Sequence, residues 1–138
     1  MAEVNNEKIK LEIVTPERVV VSESVDEVVL PGIEGEFGVL HGHIPFLTAL
    51  KVGVLTYKNG EEEEHLAVSW GYVEVTADNV KVLAETAEKA TEIDISRAKT
   101  AREAAEKILT AGKEDTEYDE AKVRLEKAVI RMQVAGKK

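Results

Sequence analysis

The feature that most constrains the fold is the stretch of residues 30–53, in which glycine and proline recur between short apolar runs. Glycine permits positive φ and close backbone approach, whereas proline fixes φ and removes a hydrogen-bond donor. A chain that turns this often suits short β-strands joined by tight corners, and it does not suit a helix. The residues that punctuate the stretch are Gly32, Gly35, Gly38, Gly42, Gly53, Pro31 and Pro45.

Short strands are predicted on both sides of this stretch. Ile9, Leu11 and Ile13 alternate with charged side chains, which is the period of a half-buried strand. Asn59-Gly60 is typical of a two-residue hairpin loop, because both residues tolerate positive φ. Further strands are predicted at residues 19–21, 25–30, 52–57, 61–69, 70–76 and 80–83, with a break at residues 22–24.

Short strands with turns every eight to twelve residues predict a β-sandwich, antiparallel and close to a flattened barrel. We expect this N-terminal domain to span residues 1–87. Trp70, in the middle of a predicted strand beside Gly71, is expected in its core. The glutamate run at residues 61–64 is interpreted as a solvated strand edge that discourages edge-to-edge pairing.

The composition changes after the sandwich to helix-forming residues without proline. Asp94 suits a helix N-cap, and Gly112 suits the end of that helix. A second helix is expected to begin near Thr116 or Asp119, so residues 88–138 are predicted to form an antiparallel two-helix hairpin. The facing seams are Ala98, Ala101, Ala105 and Ile108 on the first helix, and Tyr118, Ala121, Leu125, Ala128, Met132 and Ala135 on the second.

Alanine dominates these seams, so the hairpin gains little free energy from its own packing. Each buried carbon contributes about 0.8 kcal/mol, whereas fixing one residue's backbone costs roughly 1–2 kcal/mol. The hairpin is therefore expected to depend on another surface or on a ligand. Apolar side chains off the seam are available for that second contact: Ile95, Val123, Ile130 and Val134.

Composition excludes several classes of protein. The net charge of −9 disfavours binding to nucleic acid or directly to an anionic membrane, and favours a basic protein partner. No run approaches 18 apolar residues, and the first ten residues do not read as a signal peptide. The absence of cysteine excludes disulfides and thiolate metal sites.

Residues 31–48 follow the order P-G-x-E-G-x-F-G-V-L-x-x-H-x-P-x-L-T, which resembles the N-terminal domain of epsilon subunits of bacterial F-type ATP synthases. The resemblance implies a non-catalytic subunit of the central stalk, or rotor, which binds the gamma subunit and the c-ring and helps couple proton translocation to ATP synthesis. It also implies a mobile hairpin that can extend to the alpha/beta catalytic hexamer and inhibit ATP hydrolysis. The implied location is peripheral, on the cytoplasmic side of the bacterial cell membrane, with membrane association only through the complex.

The hairpin carries a second match, because residues 93–98 read I-D-I-S-R-A and fit the family's I/L-D-x-x-R-A pattern. In that family the pattern forms part of an ATP site, with ATP as a regulatory ligand and no obligatory cofactor. Arginine offers a donor fork for phosphate. Two positions depart from the pattern, since Lys127 replaces an arginine and Ala104 replaces a basic residue. The implied nucleotide contacts are Glu88, Asp94, Arg97, Ala98, Lys127 and Arg131.

A simpler interpretation of this motif remains open, in which Asp94 is only a helix cap and Arg97 only a surface charge. By the same resemblance, the loop that holds Glu36 and His43 faces the c-ring. His41 and His43 could instead ligate a metal, although no third ligand is apparent nearby. The glycines at residues 32–38 lack the GK[ST] of a phosphate-binding loop and precede no helix.

Two other functional classes follow from these alternatives. One is a free-standing nucleotide-sensing module built on a β-sandwich, which would bind ATP without a stable complex with gamma. The other is a small metalloenzyme that uses Glu36, His41 and His43. No catalytic constellation of serine, histidine and acid stands out in the sequence.

Overall fold

The computed structural model describes residues 7–112 and 116–137. Eight strands come first, a short 3-10 turn follows, and two helices complete the described chain. No described helix is long and apolar enough to cross a bilayer. The elements are β1 Ile9–Val14, β2 Val19–Val25, β3 Glu27–Gly32, β4 Gly35–Val39, β5 Phe46–Leu50, β6 Gly53–Asn59, β7 Glu62–Val75, β8 Asn79–Lys89, the 3-10 turn Ala90–Glu92, α1 Ile95–Thr110 and α2 Thr116–Ala135.

The strands form a sandwich whose two sheets share β7 and β8. In one sheet the second half of β7 and the first half of β8 lie between β5 and β1; in the other, the first half of β7 pairs with β6 and the second half of β8. β3 joins β4, β5 and β6, which closes the sandwich into a flattened barrel. Most pairs are antiparallel, but β1 and β8 run parallel. The predicted β-sandwich with a C-terminal two-helix hairpin is confirmed.

The sandwich core consists of alternate side chains from both sheets. Ile9, Leu11 and Ile13 are fully buried, as their alternation in the sequence predicts. Apolar side chains of β2 to β8 meet them in one continuous cluster. Its largest fully buried members are Ile9, Leu11, Ile13, Leu30, Leu50, Leu55, Leu66, Val25, Val28, Val39, Val68 and Val73.

Trp70 marks the point where β7 passes from one sheet to the other. Its φ is +47°, a left-handed conformation that an L-residue adopts at a cost, and the side chain is half-buried. Leu66 and Val68 face the core before this residue, whereas Val73 and Val75 face it afterwards. The residues that face the core therefore change from even-numbered to odd-numbered positions at Trp70. The prediction that Trp70 lies in the core is wrong, because its side chain is only half-buried.

Two local predictions also need correction. Residues 22–24 do not interrupt the strand, because β2 continues through them and all three pair with β1. The loop between β6 and β7 is Gly60-Glu61, since Asn59 pairs with Glu62. Gly60 has a φ of +67°, as a type II′ turn requires at its first central residue.

Two polar groups of the sandwich have altered acidity. Burial raises the pKa of Tyr57 well above its ordinary value, and the nearby carboxylate of Glu23 adds to the shift. Asp26 accepts a hydrogen bond from the backbone N–H of Gly60 at 2.6 Å. That bond, followed by the approach of Lys8, holds the pKa of Asp26 below its ordinary value. Asp26 thereby fixes the loop between β6 and β7.

The first helix begins and ends where its caps predict. Asp94 Oδ1 accepts a hydrogen bond from the Arg97 N–H at 3.1 Å, which confirms the N-cap. Gly112 has a φ of +74° and donates its N–H to Leu109 O at 3.1 Å, which terminates α1.

The seam between α1 and α2 is mostly the predicted one. Ala98, Ala105, Ala121 and Ala128 are buried, whereas Ala135 is buried in the contact with the sandwich described below. The prediction is wrong for Ala101, which is exposed and therefore not buried against α2.

The hairpin docks on the sandwich through a second, smaller apolar cluster. Val134 and Ala135 of α2 pack with Ala67 of β7. Ala90 and Ile93, from the segment between β8 and α1, complete its buried part. Val54 and Ile130 pack against its margin. Docking is therefore concentrated near the C-terminal end of α2.

Candidate functional site

A cavity of about 350 Å³ lies between the helical hairpin and the part of the sheet formed by β7 and β8. It is large enough for a small organic ligand, and its walls are predominantly apolar. Small side chains on α1 leave the space unfilled, notably Ala101 and Ala104. The apolar lining consists of Val52, Ala67, Val68, Ala101, Ala104, Ala105, Ile108, Ala128 and Ile130.

Three cationic side chains of α2 stand around this cavity: Arg124, Lys127 and Arg131. Their spacing of three and four residues places them on one helix face. Arg131 pairs with Glu88 through one hydrogen bond, in which Nη2 donates to Oε2 at 3.2 Å. Arg131 Nε also lies 2.8 Å from Oε1, as an ion pair without hydrogen-bond geometry. A charge-assisted hydrogen bond between partly buried side chains holds Arg131 more firmly than a longer surface ion pair would.

The other two cations are held more loosely. Lys127 Nζ lies 3.8 Å from Glu85 Oε1, and Arg124 Nη2 lies 3.5 Å from Glu120 Oε2. Surface pairs at such distances contribute little to stability. These cations can therefore turn toward an anionic ligand at a lower cost than Arg131 can.

Half of the residues implied by the nucleotide motif line this cavity, namely Glu88, Lys127 and Arg131. Ala104, where the family pattern has a basic residue, lines it as well and supplies no charge. The cavity is consequently less cationic than the family pattern implies.

The remaining three residues of the motif lie elsewhere. Asp94 caps α1, and Ala98 is fully buried. Arg97 is exposed beside a separate depression on α1, which shares only Ala101 and Ala104 with the cavity wall.

A pair of hydroxyl groups forms part of the cavity lining on the sheet side. Ser69 Oγ and Thr86 Oγ1 share a hydrogen bond, and Ser69 is almost fully buried. No pattern in the sequence pointed to this pair. Ser69 faces the hairpin because Leu66 and Val68 before it face the core, and the left-handed Trp70 ends this alternation directly after it.

The loop that carries His43 lies outside this cavity. His43 Nδ1 lies 2.6 Å from the carbonyl oxygen of Ile44, and Glu36 is exposed on β4. The surroundings are unusually apolar for a solvent-facing loop, because Leu40, Ile44, Phe46 and Leu47 are exposed. A loop of this composition suits a partner surface.

The histidines do not form a metal site in the described part of the chain. His41 Nδ1 pairs with Glu7 Oε2 at 3.0 Å, and His43 faces the backbone. Among residues 7–112 and 116–137, no three side chains of His, Cys, Asp or Glu come together as metal ligands. In this part of the chain, the metalloenzyme alternative therefore gains no third ligand beside the two histidines.

A further exposed surface, which sequence reasoning missed, crosses the outer face of the sheet formed by β2, β1, β8, β7 and β5. Val19, Leu83, Tyr72 and Ile33 are 60%, 50%, 62% and 54% exposed. Their strands are in direct register through Val14 and Ala49, so the side chains form one row, which we call the outer strip (Val19, Val14, Leu83, Tyr72, Ala49 and Ile33). Tyr72 of β7 and Leu83 of β8 could have indicated this surface from the sequence, because each is a large hydrophobic residue at an outward-facing position of its strand.

Comparison with known proteins identifies both parts of the chain. Residues 8–90 match the beta-sandwich domain of the ATP synthase delta/epsilon chain, and residues 91–136 match its long alpha-helix domain. The ATP synthase epsilon chain of Geobacter metallireducens is 55% identical over 95% of this chain and 96% of its own length. That of Syntrophobacter fumaroxidans is 56% identical over 95% and 98%.

The fold is also found in a solved structure. A chain in the mitochondrial ATP synthase of Euglena gracilis, determined with OSCP, F1 and the c-ring, superposes with a TM-score of 0.81. It is 23% identical, and the match covers 98% of this chain and 86% of that one. Since the family matches extend through sandwich and hairpin alike, the chain belongs to the epsilon-chain family of F-type ATP synthases.

Proposed function

We propose that this subunit, which is not catalytic, acts in the rotor of a bacterial F-type ATP synthase and regulates it through the helical hairpin. The sandwich binds the rotor and helps couple proton translocation to ATP synthesis. The hairpin leaves the sandwich, extends to the alpha/beta catalytic hexamer and inhibits ATP hydrolysis. Both family matches support a synthase subunit over a free-standing nucleotide-sensing module.

The observation that carries this proposal is the incomplete contact between hairpin and sandwich. Apolar docking is confined to a small cluster around Val134, and the cavity separates much of α1 from the sheet. Each helix packs chiefly on the other. An element with so few buried contacts to its support has a low free energy of release.

ATP is proposed as a regulatory ligand that favours the docked hairpin, and the subunit requires no obligatory cofactor. The apolar cavity suits a purine base, while Lys127, Arg124 and Arg131 lie at hand for phosphate. Arg131 must then release or share Glu88. A ligand that binds only the docked state adds about 2.7 kcal/mol at roughly 100 times its Kd, which suffices to shift a marginal equilibrium.

The surfaces of the sandwich support two protein partners. The outer strip offers apolar side chains for the gamma subunit, and the loop with Glu36 and His43 offers an apolar rim for the c-ring. The acidic surface, with a net charge of −9, does not suit nucleic acid. We place the subunit at the cytoplasmic side of the bacterial membrane, where it is held only through the complex.

Removal of the hairpin from the assembled enzyme tests the regulatory role. We expect a subunit without residues 91–138 to restore rotor assembly and to raise ATP hydrolysis above that of the complete enzyme. Unchanged hydrolysis in a fully assembled enzyme contradicts the inhibitory role.

Calorimetric titration with ATP tests the ligand separately. Arg131→Ala removes a cavity cation, and Arg97→Ala removes the cation of the separate depression. Lys122→Ala, on the exposed side of α2, is the matched control. Loss of binding with Arg131→Ala but not with Lys122→Ala supports the cavity, whereas loss with Arg97→Ala alone places the nucleotide on the motif. No binding at millimolar ATP refutes the nucleotide proposal.

A further inference from the structure

The segment between β8 and α1 is attached to the sandwich independently of the helices. Glu92 Oε2 accepts a hydrogen bond from Arg18 Nη2 at 2.7 Å, although the two residues lie 74 positions apart. Its other oxygen, Oε1, accepts the backbone N–H of Lys89 at 3.0 Å. One carboxylate thus joins the 3-10 turn both to the end of β8 and to the turn between β1 and β2.

The turn that carries Arg18 is itself well ordered by local hydrogen bonds. Thr15 N–H donates to Arg18 O at 2.9 Å, and the Arg18 N–H donates to Thr15 Oγ1 at 3.3 Å. Glu17 N–H donates to the same oxygen at 3.3 Å. A side-chain oxygen that accepts backbone N–H groups in this way stabilises the turn. Arg18 is therefore presented from a fixed base.

The chain between this clamp and α1 has a different character. Ile93 (φ −79°, ψ 127°) and Asp94 (φ −85°, ψ 105°) are extended. They separate the 3-10 turn from the helix. The first backbone hydrogen bond of α1 runs from Ala98 N to Asp94 O. Both dihedral angles of Ile93 and the φ of Asp94 can thus change without breaking a hydrogen bond of either helical element, whereas a change in the ψ of Asp94 would move its carboxylate away from the Arg97 N–H.

We infer that the hairpin pivots at Ile93 and Asp94, while the clamp of Arg18 and Glu92 keeps residues 89–92 on the sandwich when the helices leave. This inference rests on the proposed release of the hairpin and adds where the chain bends. Within the docking cluster, Ala90 stays against the sandwich, Val134 and Ala135 move with α2, and the buried Ile93 lies at the pivot itself.

The experiment uses the full chain, in which a substitution releases the hairpin from the sandwich. Val134→Asp puts a charge into the buried docking cluster, and Gln133→Asp adds the same charge at an exposed neighbour as the control. The chain has no cysteine, so cysteines introduced at Lys58 and Glu126 carry two spin labels whose separation reports docking. Hydrogen exchange is followed at the amides of residues 89–92 in the same variants.

We expect the labels to separate in Val134→Asp while the exchange rates of residues 89–92 stay within about twofold of those in the control. Adding Arg18→Gln should then raise those rates about two- to fivefold, the factor set by one exposed ion pair. Ala67→Asp perturbs the same cluster from the sandwich side and leaves the helices unaltered, which guards against misfolding of α2.

Two results overturn the inference, and they are distinguishable. If the labels separate but residues 89–92 exchange as fast as the released helices, the linker leaves with the hairpin and the pivot lies at the end of β8. If the labels do not separate in either docking variant, the hairpin is not released at all, and the proposed mobility fails together with the pivot.

Discussion

Replacing Gly71 with alanine tests how β7 passes between the two sheets. Gly71 follows the left-handed Trp70 and has a φ of +137°, a conformation that side chains rarely adopt. A Cβ at this position would lie 1.8 Å from the carbonyl oxygen of Leu83, whereas real Cβ atoms essentially never come closer than 3.0 Å. The neighbour is backbone of β8 and cannot rotate away.

The magnitude follows from two separate costs. A residue with a side chain at such a φ costs about 1–3 kcal/mol. Moving the backbone of Leu83 by about an ångström adds a packing cost of about 1–3 kcal/mol. We therefore expect Gly71→Ala to lower the free energy of unfolding by about 4 kcal/mol, which is a large part of the 5–15 kcal/mol typical of a domain.

Urea unfolding of the purified subunit measures this loss. With a typical m-value near 2 kcal/mol per M, the midpoint should fall by about 2 M. Gly38→Ala is the control, because Gly38 also lies in a strand, has no positive φ, and would have nothing within 4 Å of the added Cβ. A midpoint for Gly71→Ala within about 0.5 M of the control would refute the argument from backbone geometry.

Three further predictions concern the ion pair between Arg131 and Glu88, the buried Tyr57, and the outer strip. Arg131→Ala leaves Glu88 unpaired and should weaken hairpin docking by about 1–3 kcal/mol, measured by spin-label separation. The raised pKa of Tyr57 makes its share of stability complete below about pH 10 and lost as the pH rises above that value, so the unfolding midpoint should fall in alkali for the wild type and not for Tyr57→Phe. Leu83→Ser, on the outer strip, should weaken binding to the gamma subunit about tenfold, measured by surface plasmon resonance.

Each of these predictions has an outcome that contradicts it. If Lys122→Ala weakens hairpin docking as much as Arg131→Ala does, the effect comes from the loss of a positive charge on α2 and not from the ion pair with Glu88. Alkaline loss that persists in Tyr57→Phe would assign it to another group. Binding to gamma that falls equally with Lys81→Ser, whose side chain is exposed on the same strand, would remove the special role of the outer strip.

Local chemistry made much of the fold predictable. The alternation of Ile9, Leu11 and Ile13 depends only on the pleat of a strand, and the ends of α1 depend on Asp94 and Gly112 and their immediate neighbours. Each feature is decided within a few residues. A single sequence carries such information directly.

Contacts between distant positions were not predictable in the same way. The pairing of Arg131 with Glu88 joins residues 43 positions apart, and it exists only once α2 lies against the sandwich. The reversal of facing at Trp70 arises because β7 is shared by two sheets, which local propensity does not encode. The resemblance to the family therefore identified Glu88, Lys127 and Arg131 from the sequence. The cavity that they line could be found only in the structure.

The sharing of β7 and β8 between the two sheets has a mechanical consequence. Ala67 and Ser69, under the hairpin, are continuous through the peptide chain with Tyr72 on the outer strip. A load applied between these faces is carried by covalent bonds and by the hydrogen-bond ladder of β7 with β8, and not by side-chain packing alone. Sliding one sheet over the other would require both strands to break their ladder. The sandwich should therefore transmit torque as a stiff body. The flexible part of the subunit lies outside the sandwich, at Ile93 and Asp94 before α1.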